Sequence, residues 1–77
     1  MKLYIYTLDK TLYEGDASVI TLPAETGELA ILPNHAPIVT TLKKGTVSVK
    51  TGTDTKTFPI ESGFAEINQS QIILLAR

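Results

Sequence analysis

Apolar residues in this chain recur at every second position, in short runs that turn-forming residues interrupt. That period belongs to strands with one buried face, because successive side chains leave a strand on opposite sides. In residues 46–51, Val47 and Val49 fall on one side and Ser48 and Lys50 on the other. At the start, Leu3, Ile5 and Thr7 share one face, and Tyr4, Tyr6 and Leu8 share the other. No window long enough for a helix carries a 3.6-residue period. Threonine, isoleucine and valine are abundant, and their branched, stiff side chains suit a pleated surface.

Turn residues divide the chain further. Asp9-Lys10 closes a first strand and residues 11–14 return as a second, with Gly15 offering a bend or bulge. Residues 17–22 read as a third strand that ends at Pro23. Residues 28–32, 38–42, 46–51, 55–61, 64–67 and 71–76 follow. Pro59 implies an edge position or a bulge. Ile72-Ile73-Leu74-Leu75 is apolar on both faces. It is either a central strand or one whose outer face meets another subunit. The expected fold is all-β: a two-sheet β-sandwich, or flattened barrel, of about eight to ten short, mostly antiparallel strands.

The 77 residues allow one domain. A chain of this size buries only about 60–65% of its unfolded surface, so a partner that covers leftover apolar surface would add stability. With seven basic and eight acidic residues the net charge is −1. That balance disfavours binding through a strongly basic face, as nucleic acid requires. There is no cysteine, hence no disulfide, thiolate nucleophile or cysteine-ligated metal. No apolar run approaches the ~20 residues that span a bilayer, and the first residues lack the apolar stretch of a signal peptide. A soluble, unexported protein is expected.

Chemistry finds little purchase. His35 is the single histidine, so no histidine pair or histidine metal cluster can form. It reads as a loop histidine bonded to backbone, or as a contact residue. Glu25 and Glu28 are spaced like a carboxylate pair, but so small a sandwich has no room for a sugar-sized cleft. The five glycines fall one per turn and make no phosphate-binding pattern. No catalytic residue, cofactor or metal site is expected. The five aromatics could stack bases in a small β module for single-stranded nucleic acid or peptide, but no basic stripe surrounds them. The dense feature is residues 26–37, where two prolines and a glycine stiffen a segment carrying Leu29, Ile31 and Leu32 between Glu28 and His35. Those apolar groups form either a protein-binding edge or part of the domain's own core.

The same segment, Gly27-Glu28-Leu29-Ala30-Ile31-Leu32-Pro33-Asn34-His35-Ala36-Pro37, resembles the G-E-L-G-I-L-P-x-H-A-P block of bacterial ATP synthase epsilon subunits. Leu12-Tyr13-Glu14-Gly15, Val19-Ile20-Thr21-Leu22-Pro23, Leu42-Lys43-Lys44-Gly45, Ser62-Gly63-Phe64-Ala65-Glu66-Ile67 and Ile73-Leu74-Leu75-Ala76 resemble further family segments in the family's order. The resemblance implies the amino-terminal β-sandwich of a non-catalytic rotor subunit. Such a subunit joins the gamma subunit to the c-ring and couples ion-driven rotation to ATP synthesis on the beta subunits. It further implies one copy per complex, no nucleic acid, and a peripheral position on the cytoplasmic side of a bacterial inner membrane. By position in the motif, Glu28, Leu29, Ile31, Pro33 and His35 would face the c-ring, and Thr7 and Thr40 the gamma subunit. Ala30 and Ser62 stand where the family usually has glycine. The family's carboxy-terminal helical hairpin, which can inhibit hydrolysis, has no counterpart within residues 1–77.

Overall fold

The computed structural model describes all residues from Met1 to Arg77 and contains nine strands and no helix. They are β1 (Lys2–Tyr6), β2 (Thr11–Asp16), β3 (Val19–Ala24), β4 (Gly27–Ile31), β5 (Ile38–Leu42), β6 (Gly45–Thr51), β7 (Asp54–Ile60), β8 (Gly63–Ile67) and β9 (Gln71–Ala76). Hydrogen bonding runs in the order β2-β1-β9-β8-β5-β3-β6-β7, with β4 on the other side of β3. Every pairing is antiparallel except β1 with β9.

The expected two sheets are joined into one curled sheet. The join is a single residue pair, Ala24 opposite Leu42. On one side of that corner lie β2, β1, β9, β8 and β5. On the other lie β4, β3, β6 and β7. Both layers contribute to one core, with Leu3, Ile5, Ile72 and Leu74 from the first and Ile20, Leu22, Val47 and Val49 from the second. No buried side chain is polar, so the layers are held by apolar packing alone. The far ends of the sheet, β2 and β7, are closed by side chains. Tyr13 packs edge-on against Phe58 with ring centroids 6.0 Å apart. Thr51 Oγ1 donates to the Asp16 carbonyl at 3.1 Å.

Two boundaries differ from expectation. Pro23 lies inside β3 and does not end it. Its carbonyl accepts from Lys43 N–H at 2.8 Å, on the β5 side. A strand residue turns its N and its C=O the same way, so the missing Pro23 donor falls at the corner where β3 leaves β6, and no ladder bond is lost. Gly15 is not a bulge, because it pairs in register with Leu3. The irregularity lies nearer the turn, where Ile5 faces Tyr13 but Tyr6 faces Thr11, which leaves Leu12 as the extra residue. Pro59 sits on the edge strand β7, as its missing donor requires.

β9 satisfies both readings of its apolar run. It is flanked by β1 and β8, with Ile72 and Leu74 buried. Its outer face carries Ile73 and Leu75, and Leu75 is 53% exposed.

Candidate functional site

The stiff segment begins at a two-residue turn, Glu25-Thr26, that joins β3 to β4 with Ala24 opposite Gly27. Gly27 has a φ of +137°, a region that side chains disfavour and glycine enters freely. Open space surrounds it, so the requirement is conformational. Gly27→Ala is expected to lose about 1–3 kcal/mol of stability through backbone strain. Urea unfolding of the two proteins checks this, and equal midpoints would contradict it.

Beyond Gly27, alternation decides what the strand presents. Glu28 and Ala30 are exposed, Leu29 is half-buried against the core, and Ile31 is fully buried. Ile31 therefore belongs to the core, opposite Ile20, and not to a docking rim. The exposed apolar residue is its neighbour Leu32, at 53%. Sequence spacing alone could not separate the two, because the chain leaves the strand after Ile31 and the alternation stops. Pro33 is exposed, and Asn34 adopts a left-handed φ of +67° that its short polar side chain tolerates. His35 is half-buried and its Nδ1–H donates to the Ala36 carbonyl at 2.7 Å. Its ring is thus fixed by backbone, and no carboxylate orients it as a general base would need. No three histidine, aspartate or glutamate side chains gather as a metal site would require.

Glu28, Leu29, Leu32, Pro33 and His35 thus form one continuous rim along β4 and the loop after it. Thr7 and Thr40 lie elsewhere. The Thr7 hydroxyl is committed to the β1–β2 turn, accepting from Lys10 N–H at 3.1 Å and donating to the Lys10 carbonyl at 3.2 Å. Thr40 is half-buried opposite Ala65, which is fully buried, so it lies on the inner side of β5. That orientation removes it from an outward contact set.

A second surface emerges only from the strand register. Across the outer face of the first layer, Tyr6 lies beside Leu75, Leu75 beside Phe64, and Phe64 beside Thr41. Tyr4 lies beside Ile73, and its ring stacks on that of Tyr6 at 6.0 Å. Leu8, 93% exposed, borders an open hollow of about 470 Å³ that Tyr6, Thr7, Phe64 and Leu75 also line. Four of the five exposed large apolar residues, Leu8, Val39, Phe64 and Leu75, lie on this layer. The grouping of Tyr4, Tyr6 and Leu8 on one face was visible in the alternation. Their juxtaposition with β8 and β9 was not, because it depends on the parallel β1–β9 pairing.

Residues 1–77 match the family model described as ATP synthase, Delta/Epsilon chain, beta-sandwich domain. The chain belongs to that family. It is 38% identical over 68 residues to the ATP synthase epsilon chain of Caulobacter vibrioides, covering 88% of this chain and 79% of that one. It is 34% identical over 76 residues to the epsilon chain of Dehalococcoides mccartyi, covering 99% of this chain and 54% of that relative. The chain therefore spans most of one epsilon relative and about half of the other. The fold is that of a chain in the Euglena gracilis mitochondrial ATP synthase, with a TM-score of 0.89 at 23% identity, over 96% of this chain and 48% of that one. The epsilon-type sandwich thus persists where most side chains have changed, which fits a fold held by apolar alternation.

Proposed function

We propose that this chain is a central-stalk subunit of an F-type ATP synthase, gripping two neighbours through two separate surfaces and carrying out no covalent chemistry. The supporting observation is the family match together with the disposition of those surfaces. A rigid polar-edged rim lies on β4, in the second layer, and a flat apolar face covers the first. A standard interface takes about 800 Å² from each partner, roughly a sixth of the 4733 Å² surface, so two docking faces fit on one small domain. The rim of Glu28, Leu29, Leu32, Pro33 and His35 is assigned to the c-ring. The outer face from Thr7 to Leu75 is assigned to the gamma subunit, which would cover the apolar groups that water now meets. Docked in this way, the chain lies peripheral to the membrane, as one copy per complex on the side where the catalytic subunits project.

The nucleic-acid alternative is disfavoured by register. Glu14 stands beside Tyr4, and Glu66 beside Ile73, so carboxylates flank the stacked tyrosines where phosphates would pass.

Co-purification with separately produced gamma subunit and c-ring tests the proposal. A stable ternary complex is expected, and a folded chain that binds neither partner would overturn it. Glu28→Lys should leave stability unchanged, since Glu28 is exposed and the one ion pair is Lys44 with Glu61. It should weaken c-ring binding by about tenfold or more, through repulsion and a lost polar contact. Titration of the ring with both proteins reads the effect.

A further inference from the structure

Three strands have an edge that no backbone pairing covers: β2, β7 and β4. Such an edge offers unpaired N–H and C=O groups as a template for another chain, and folded proteins usually guard it. β7 is guarded by Lys56 and Pro59. β2 is guarded by the closing seam, where Tyr13 meets Phe58 and Lys56 Nζ lies 5.7 Å from the Tyr13 ring centre. β4 has no such device. It reads Gly-Glu-Leu-Ala-Ile, without proline or lysine, and its register with β3 runs unbroken from Gly27 to Ile31.

Pro23 fixes which β4 groups are free. Its carbonyl points to the β5 side, away from β4. Opposed residues of an antiparallel pair exchange both their bonds or neither. Glu28, opposite Pro23, therefore turns its N–H and C=O to the open edge, and two residues on Ala30 does the same. None of these groups takes part in the backbone bonds made outside the strands. The side chains at these positions are an exposed carboxylate without an ion-pair partner and a methyl group, so a neighbouring strand can approach closely and meets one negative charge.

We infer that β4 is a strand-addition edge. An extended segment of a neighbouring stalk protein pairs its backbone with Glu28 and Ala30, and places a lysine or arginine across from Glu28. This rests on the stalk reading and gives that docking rim its geometry: main-chain bonds supply adhesion and the single carboxylate selects a basic partner.

Amide hydrogen exchange, resolved at Glu28 and Ala30, tests it in the free chain and in the complex with gamma subunit and c-ring. In the free chain both amides should exchange quickly, and in the complex each should slow by about tenfold or more. Ala30→Pro removes one outward donor and leaves the β3 ladder intact, so it should weaken the complex about tenfold, whereas Ala30→Ser should not. A complex that forms with both amides still fast would overturn the strand-addition inference and leave the stalk reading standing. Failure of the complex to form would overturn the stalk reading and this inference with it. Protection in the free chain that rises with concentration, together with a dimeric mass, would assign the edge to a second copy and overturn the proposed partner.

Discussion

Leu74→Ala is expected to remove most of the stability of this domain, while Leu75→Ala, one residue on, removes little. Leu74 is fully buried, lies on the central strand β9, and stands between Ile5 of β1 and Ala65 of β8. Truncation there loses transfer energy and leaves a cavity that two hydrogen-bonded neighbours prevent from collapsing, for about 2–5 kcal/mol. At 0.05–0.15 kcal/mol per residue, a chain of this length is stable by roughly 4 to 12 kcal/mol in total. The melting temperature should therefore fall by roughly 10–30 °C. Leu75 points outward and is 53% exposed, so its loss should cost below about 1 kcal/mol in the isolated domain. Paired denaturation curves decide the matter, and equal losses would mean that the β9 register is wrong by one residue.

Gly63→Ala should be the most damaging of the conservative changes, for a reason unrelated to backbone freedom. An added Cβ would lie 2.7 Å from the Leu75 carbonyl oxygen, 3.3 Å from Leu42 Cδ1 and 3.4 Å from Ala76 Cα. Leu42 can shift, but the backbone of β9 cannot move without disturbing its bonds to β1 and β8. Overpacking of this kind costs about 1–3 kcal/mol, and more for a larger residue. The effect should grow from alanine to valine, because the obstacle is volume. At Gly27 the alanine and valine variants should instead be similarly strained, since space there is open and φ alone is unfavourable. A Gly63 series without size dependence would contradict the close approach of β8 to β9.

Much of the fold was legible in the sequence because one buried face per strand imposes its own period. Val47 and Val49 inward, Pro59 on an edge and the Asn68 turn all follow from local chemistry. At that turn the Asn68 carboxamide oxygen accepts from Ser70 N–H at 3.0 Å and from Gln71 N–H at 2.8 Å. What the sequence did not disclose is non-local. Pro23 within β3 is tolerable only because β6 and β5 part at that residue. Ile31 and Leu32 are adjacent and chemically alike, and the strand end alone sends one inward and the other out. The outer apolar face depends on which strand lies beside which, and a parallel β1–β9 pair between the two ends of the chain leaves no local trace. The docking rim was accessible from its motif, but its free backbone groups required the β3–β4 register.

Ion pumping most directly tests whether this sandwich couples a rotor by adhesion alone. Membrane vesicles carrying an ATP synthase stripped of its own epsilon chain would be given ATP with and without this protein, and ion uptake followed. The account predicts that the wild-type chain restores uptake and that Glu28→Lys restores less. A folded wild-type chain that leaves uptake at the level of the stripped vesicles would contradict it.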